Sequence, residues 1–181
     1  MNKYNEIKNL FELANNKYLI EQKNLIQSGV SERTLCGQLM LYLNEVKKTT
    51  QYKQYFVDVE YNRNVNGRLK TIKDGEGEII TINCDLILHS RGENLAQDNL
   101  IALEMKKSNG SRSEKEKDRE RLKALTRQSF DNIWSSDGKS LPEHVCRYIL
   151  GVYYEINISR MVAKVEYYQD GKLLHNYIKT I

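Results

Sequence analysis

Proline, cysteine and long apolar runs are all scarce in this chain of 181 residues. It contains one Pro, and no apolar stretch approaches the roughly 20 residues that a membrane-spanning helix requires. The N-terminal stretch 1–9 is polar and lacks the apolar segment of a secretory signal peptide. We therefore expect a cytoplasmic protein that does not contact a membrane.

The three cysteines lie far apart in the sequence, each in apolar surroundings. They form no C-x-x-C pair, which argues against a zinc knuckle and against a disulfide framework. We expect Cys36, Cys84 and Cys146 to be buried free thiols, the state that a reducing cytosol maintains.

Motifs of several common enzyme classes are also missing. The chain has no G-x-S-x-G nucleophile motif and no Walker phosphate-binding loop. The Gly75-Glu76-Gly77 segment continues to Ile80 where a dinucleotide-binding loop needs glycine. The histidines, His89, His144 and His175, have no spacing typical of metal ligands.

The composition is that of an ordinary globular protein, with 40% hydrophobic residues, 29% charged residues and a formal net charge of +4. This length suffices for one domain with a substantial core. The mild excess of positive charge permits a polyanionic partner such as nucleic acid without requiring one.

Hydrophobic periodicity predicts a helix at the N-terminal end. Apolar residues recur at helical spacing from Tyr4 to Tyr18, and Leu25 continues the row. The pattern fits one helix, or two with a break near Asn15-Asn16. We interpret it as a packing helix; the alternative is a dimerisation helix, which would make the protein a homodimer.

Ser31 has the position of an N-cap for a second helix that ends near Lys47. Glu32 follows in its first turn, on the side of Leu35 and Cys36. An acid there is stabilised by the helix dipole, but it also lies on the inward side, where it could join a functional site. Spacing alone does not decide between the two.

The remainder of the chain predicts a mixed sheet. Alternation, apolar runs and turn signals predict strands over 55–61, 79–89, 100–107 and 147–156, with a hairpin arm over 68–73. A charged helix is predicted from Ser113 to about Ser129, followed by a loop over 131–142. The chain is predicted to end in a C-terminal hairpin over 162–178. The fold class is therefore α/β, of the α+β type with helices flanking a mixed sheet. We expect a single domain.

Two groups of basic side chains are candidates for contact with a phosphate backbone. Arg63 belongs to the basic insertion after the first strand, and Lys115, Arg119 and Lys123 form a row on the charged helix. A solvated loop and a salt-bridged helix face are the respective alternatives.

The pattern with the most chemical content lies on two predicted strands. Asp85 is the single acid of one apolar run, and the next run ends in Glu104 and Lys106, which a period of two puts on the same side. Charges in buried strands are costly unless they bind something. Asp85, Glu104 and the backbone carbonyl of Met105 are hard oxygen ligands suited to Mg²⁺. Lys106 would polarise the attacking water and offset phosphate charge. The alternative is an exposed strand end with a Glu104–Lys106 salt bridge.

These residues, with Glu32 on the preceding helix, resemble the PD-(D/E)XK nuclease superfamily, which has the restriction-endonuclease-like fold. The segments that carry the resemblance to a group of small bacterial members are S-E-R-T-L (31–35), V-D-V-E-Y-N-R (57–63), C-D-L-I-L-H-S-R-G (84–92) and N-L-I-A-L-E-M-K-K (99–107). The resemblance implies an αβββαβ core over 31–155, with an extra N-terminal helix (1–28) and a C-terminal β-hairpin (161–179).

The resemblance also implies an activity, that of an Mg²⁺-dependent endonuclease or nuclease, with Mn²⁺ as a substitute. Asp85 and Glu104 would be metal ligands, Lys106 the catalytic lysine and Glu32 the helix-borne acid; Glu60, Arg63 and His89 would lie nearby without assigned roles. Cys84 stands where the motif usually has proline. We expect hydrolysis of phosphodiester bonds in nucleic acid, specifically DNA. The alternative is a module that keeps the nuclease fold and binds nucleic acid or protein without catalysis.

Overall fold

The fold is an α/β arrangement built around one mixed six-stranded sheet. This computed structural model describes residues 2–61, 71–73, 79–81, 84–94, 96–128 and 146–181, with 71–73 and 79–81 described as backbone alone. Its elements are α1 (Lys3–Glu21), α2 (Lys23–Gln27), α3 (Glu32–Lys47), β1 (Phe56–Val59), β2 (Thr71–Lys73), β3 (Ile79–Thr81), β4 (Leu86–His89), β5 (Asn99–Lys107), α4 (Arg112–Thr126), β6 (Leu150–Asn157), β7 (Val162–Gln169) and β8 (Lys172–Thr180). The predicted mixed α/β class is confirmed.

The strands of the main sheet lie in the order β1-β4-β5-β6-β7-β8. Neighbouring strands are antiparallel except β5 and β6, which run parallel. A parallel pair needs a crossover connection, and α4 lies in that connection, against the sheet. The predicted C-terminal hairpin is confirmed as β7 and β8.

The helices cover both faces of the sheet. Core residues of α1 and α3 pack with Leu86, Leu103 and Met105 on one face. On the other face, Leu122 and Leu125 of α4 pack with residues that include Ala102. Since side chains alternate along a strand, Glu104 and Lys106 belong to the α4 face, with Ala102.

The predicted break near Asn15-Asn16 is wrong. Helix α1 continues to Glu21, and Gln22 separates it from α2. Asn15 is fully buried, and its Oδ1 accepts a hydrogen bond of 2.7 Å from the hydroxyl of Tyr154 on β6. Asparagine has a weak local preference against helix, and this tertiary contact outweighs it.

Helix α3 was predicted closely. The side chain of Ser31 accepts a hydrogen bond from the amide of Thr34, and the helix ends at Lys47. The charged helix α4 begins earlier than predicted, because Ser111 rather than Ser113 caps it by accepting from the amide of Glu114.

The single strand predicted over 79–89 is also corrected. Its first part, β3, pairs with β2 in a separate two-stranded sheet, whereas β4 belongs to the main sheet. The expected hairpin in the insertion is thus present as β2 and β3. Most of the remaining insertion, including Arg63, and the loop predicted over 131–142 lie outside the described residues.

The three cysteines are buried and free, as predicted. None of the described helices combines the length and the apolar character that crossing a bilayer demands.

Candidate functional site

The acids predicted from the sequence lie around the C-terminal half of β5. Leu86 pairs with Leu103 at the start of β4, so Asp85 lies beside Glu104 one position beyond. The N-terminus of α3 reaches the end of the same strand through Glu32, and α4 covers the face from which Glu104 and Lys106 project. The structure therefore brings Glu32, Asp85, Glu104 and Lys106 into one cluster.

Asp85 is held by the backbone of the neighbouring strand. Its Oδ2 accepts a hydrogen bond of 2.8 Å from the amide of Met105. Burial raises the pKa of Asp85; the Met105 amide and the Lys106 ammonium oppose this rise, and the nearby acids reinforce it. The carboxyl group is thus tied in place in an environment that disfavours its charge.

Glu104 is the most deeply buried acid of the cluster, with 1% of its surface exposed. Its Oε1 accepts a hydrogen bond of 2.7 Å from Nη1 of Arg121 on α4. Burial raises the pKa of Glu104 to about 8, because the opposing charge of Arg121 does not compensate for desolvation and for the repulsion of Asp85 and Asp118. The site therefore disfavours a second negative charge beside Asp85 unless a further cation is present.

Lys106 is surrounded by carboxylates. Its Nζ lies 3.8 Å from Oε2 of Glu32 and 3.4 Å from Oδ2 of Asp118. Burial lowers the pKa of Lys106, but the attraction of Asp118, Glu32 and Asp85 exceeds this effect, so the pKa lies above its ordinary value. Lys106 is consequently a charged ammonium group at neutral pH.

Glu32 links the start of α3 to the end of β5. Its Oε1 accepts a hydrogen bond of 2.7 Å from the amide of Lys107, and its other oxygen faces Lys106. The sequence left open whether Glu32 only interacts with the helix dipole or joins a functional site. Its direct contacts show that Glu32 is a member of the cluster. Its place in the first turn of α3 still allows a favourable interaction with the helix dipole.

The sequence interpretation missed Asp118 and Arg121, which belong to the charged helix α4 and were not among the predicted site residues. Asp118 is only 4% exposed, and its Oδ1 lies 3.2 Å from Nη1 of Arg121. Burial raises the pKa of Asp118, against the pull of Lys106 and Arg121. One signal was available: Asp118 stands four and seven positions before the buried Leu122 and Leu125, on the same helix face.

The basic row proposed for phosphate contact points toward acids of the protein. Nε and Nη2 of Arg119 bind the two oxygens of Glu166 at 2.9 and 3.1 Å. Lys115 donates to the carbonyl of Ser108 at 2.6 Å, and Lys123 pairs with Glu120 at 2.6 Å. A role for these residues in binding substrate stays a prediction, as does that of Arg63.

Two further residues of the resemblance lie at strand ends: Glu60 follows β1, and His89 is the last residue of β4. Glu60 is paired with Arg33 through two hydrogen bonds of 2.7 Å, and its amide donates to the carbonyl of Asp85 at 3.2 Å. His89 contacts Asp58, with Nε2 to Oδ2 at 2.8 Å. Glu60 therefore adjoins Asp85 through the backbone, whereas His89 belongs to a separate pair.

Taken together, four carboxyl groups share two cationic side chains in this cluster, which gives a formal charge of 2 − 4 = −2 when all are ionised. Carboxylate oxygens are the ligands that Mg²⁺ and Mn²⁺ prefer, so the donor chemistry fits a divalent ion. Over the described part of the chain, however, no three His, Cys, Asp or Glu side chains are arranged to hold a metal. The carboxylates contact Met105, Arg121 and Lys107 instead.

No family model, curated protein or solved structure matches the chain. A functional interpretation therefore depends on the cluster itself and on the sequence motifs that it contains.

Proposed function

We propose that the protein is a metal-dependent nuclease that hydrolyses phosphodiester bonds, with DNA as its substrate. The observation that carries the proposal is the meeting of Asp85, Glu104 and Lys106 at one end of β5, with Glu32 beside them. These residues are distant in sequence, and their convergence is what the resemblance to the PD-(D/E)XK superfamily requires.

The arrangement of elements supports the finer fold assignment, a restriction-endonuclease-like core. Helix α3 is followed in the main sheet by the antiparallel strands β1, β4 and β5, with the separate β2–β3 hairpin inserted between β1 and β4, and then by α4 and the parallel strand β6. This is the αβββαβ order of that superfamily. Helices α1 and α2 and the β7–β8 hairpin are then additions at the two ends of the core.

Each residue of the cluster has a role in this proposal. Asp85 and Glu104 would hold the metal, together with the carbonyl of Met105. Lys106, charged and anchored by Glu32 and Asp118, would orient the attacking water and offset the charge of the scissile phosphate. The divalent ion supplies a water of lowered pKa and a positive charge for the departing oxygen.

We propose a cytoplasmic location, and the three buried free thiols support it because they suit a reducing compartment. The net charge of +4 is compatible with approach to a polyanion such as nucleic acid. Mg²⁺ is the expected cofactor, and Mn²⁺ is the expected substitute.

A cleavage panel tests the proposal. The protein is incubated with linear, circular and single-stranded DNA and with RNA, in Mg²⁺, Mn²⁺ or EDTA. We expect metal-dependent cleavage of DNA that is abolished in Asp85→Asn, Glu104→Gln and Lys106→Met but kept in Glu45→Gln, a control on the exposed side of α3. Undiminished cleavage by a clean Glu104→Gln preparation would refute the assignment.

One observation favours a second candidate, a non-catalytic module with the same fold. Asp85, Glu32 and Glu104 already accept hydrogen bonds from groups within the protein, so these acids have partners without a metal. Such a module would bind nucleic acid or a protein equally well in EDTA and after Lys106→Met. Binding that requires divalent metal, with loss of cleavage in the variants above, excludes it.

A further inference from the structure

Arg121 supplies a positive charge between two acids of the cluster. Its Nη1 lies 2.7 Å from Oε1 of Glu104 and 3.2 Å from Oδ1 of Asp118. One nitrogen thus bridges a carboxylate of the sheet and a carboxylate of the helix that covers it. A bridging cation between two acids is the usual electrostatic role of a bound metal ion.

Asp118 gives an independent indication that this pocket has room for a further ligand. The residue is 4% exposed, and its Oδ2 has no hydrogen-bond partner among the described residues. The nearest cation is the Lys106 ammonium, at 3.4 Å. Buried carboxylate oxygens are normally hydrogen-bonded, so Oδ2, which in the described part of the chain has only this long ion pair with Lys106, is able to accept a further ligand.

The contacts of Arg121 differ from those of its neighbour Arg119. Arg119 binds Glu166 through two nitrogens and lies 4.1 Å above the ring of Tyr153, the bidentate geometry that fixes a guanidinium firmly. Arg121 reaches both of its acids through the same nitrogen. Its side chain is 27% exposed, against 18% for Arg119. Arg121 is therefore the more easily displaced of the two.

We propose that Arg121 holds the site closed by bridging Glu104 and Asp118, and that a divalent metal binds by displacing this guanidinium, with Asp118 as an additional carboxylate ligand. This inference rests on the proposed function, because it concerns the same metal. It assigns to α4 both a ligand and a competing cation.

Calorimetric titration with Mn²⁺ tests the inference on the full chain. The variants are Arg121→Gln, Arg121→Lys, Asp118→Asn and, as a matched control for loss of one positive charge, Arg112→Gln on the exposed first turn of α4. A unit charge within a few ångströms shifts ionic equilibria by roughly one to three pKa units. We therefore expect Arg121→Gln to bind Mn²⁺ at least about tenfold more tightly than the wild type.

The other variants have defined outcomes. Arg121→Lys keeps the charge and should bind Mn²⁺ with an affinity near that of the wild type, as should Arg112→Gln. Asp118→Asn should weaken binding. The rise in melting temperature on addition of Mn²⁺ should be larger in Arg121→Gln than in the wild type, which gives a readout that does not depend on cleavage.

The results that overturn the inference can be separated from those that overturn the proposed function. If the wild type binds Mn²⁺ and cleaves DNA but folded Arg121→Gln binds with equal or lower affinity, Arg121 does not compete with the metal, and only the inference fails. If neither protein binds Mn²⁺, both fail. If Arg121→Gln binds Mn²⁺ and the wild type does not, the inference is supported, because Arg121 then prevents metal binding completely.

Discussion

Replacement of Glu104 by glutamine should remove a large pH dependence from the stability of the metal-free protein. The substitution keeps the shape of the side chain and removes its titration. In the wild type, burial raises the pKa of Glu104 from 4.5 to about 8. The unfolded chain therefore releases this proton near pH 4.5, whereas the folded protein retains it up to about pH 8. Raising the pH through this window favours unfolding.

The magnitude follows from the width of the window. A pH of 7 is 7 − 4.5 = 2.5 units above the pKa of the Glu104 carboxyl in the unfolded chain. In the folded protein this carboxyl is still protonated at pH 7. At ~1.4 kcal/mol per unit, Glu104 lowers the free energy of unfolding by about 3 kcal/mol at pH 7 relative to pH 4. Asp85 and Asp118, whose pKa values are also raised by burial, add to the decline in both proteins.

Urea denaturation in EDTA at half-unit steps from pH 4.5 to pH 8.5 measures this effect. We expect the wild type to lose stability with rising pH and Glu104→Gln to lose about 3 kcal/mol less by pH 7. Glu45→Gln, which changes an exposed acid on α3, should follow the wild type. If the free energies of unfolding of the wild type and Glu104→Gln declined in parallel with rising pH, burial would not govern the ionisation of Glu104.

Two further predictions concern the packing that positions the site. Tyr154→Phe removes the hydroxyl that donates to buried Asn15 at 2.7 Å and should cost about 1–3 kcal/mol in urea denaturation, since it leaves the amide oxygen without a donor; an unchanged midpoint would contradict this. Gly151→Ala would bring a methyl group to 2.9 Å from Cγ2 of Thr126 at the end of α4. This overpacking should lower the free energy of unfolding by about 1–3 kcal/mol. Because it shifts α4, it should also lower cleavage activity more than Tyr154→Phe does. Equal cleavage activities in the two variants would count against a role of α4 in the site.

Local signals in the sequence were sufficient for much of the scaffold. Ser31 and Lys47 mark the ends of α3 in the structure as they do in the sequence, because capping is a property of neighbouring residues. The period of a strand likewise put Glu104 and Lys106 on the same side of β5, since a strand fixes that side by its period alone.

Tertiary contacts decided what the sequence left open. The run over 79–89 is mostly apolar, and nothing local indicates that β3 and β4 belong to different sheets. Asn15 locally predicts a break in the helix. The contact that outweighs this preference comes from Tyr154, which is 139 positions away in the sequence. Such long-range contacts are absent from any local pattern.

The part of the site on α4 was missed for a different physical reason. Asp118 and Arg121 are spaced i,i+3 like the neighbouring surface pairs Glu116–Arg119 and Glu120–Lys123. The same spacing stabilises an exposed helix and a helix whose acid is buried against a sheet. Only the position of Asp118 relative to the apolar face of α4 distinguishes the two cases.

A crystal structure determined in Mn²⁺, with anomalous scattering recorded at the manganese edge, tests the central claim most directly. We expect an anomalous peak roughly 2.1 Å from carboxylate oxygens of Asp85 and Glu104, with the Arg121 guanidinium moved away from Glu104. A map at saturating Mn²⁺ without a peak in the cluster, and with the Arg121–Glu104 hydrogen bond intact, would contradict it.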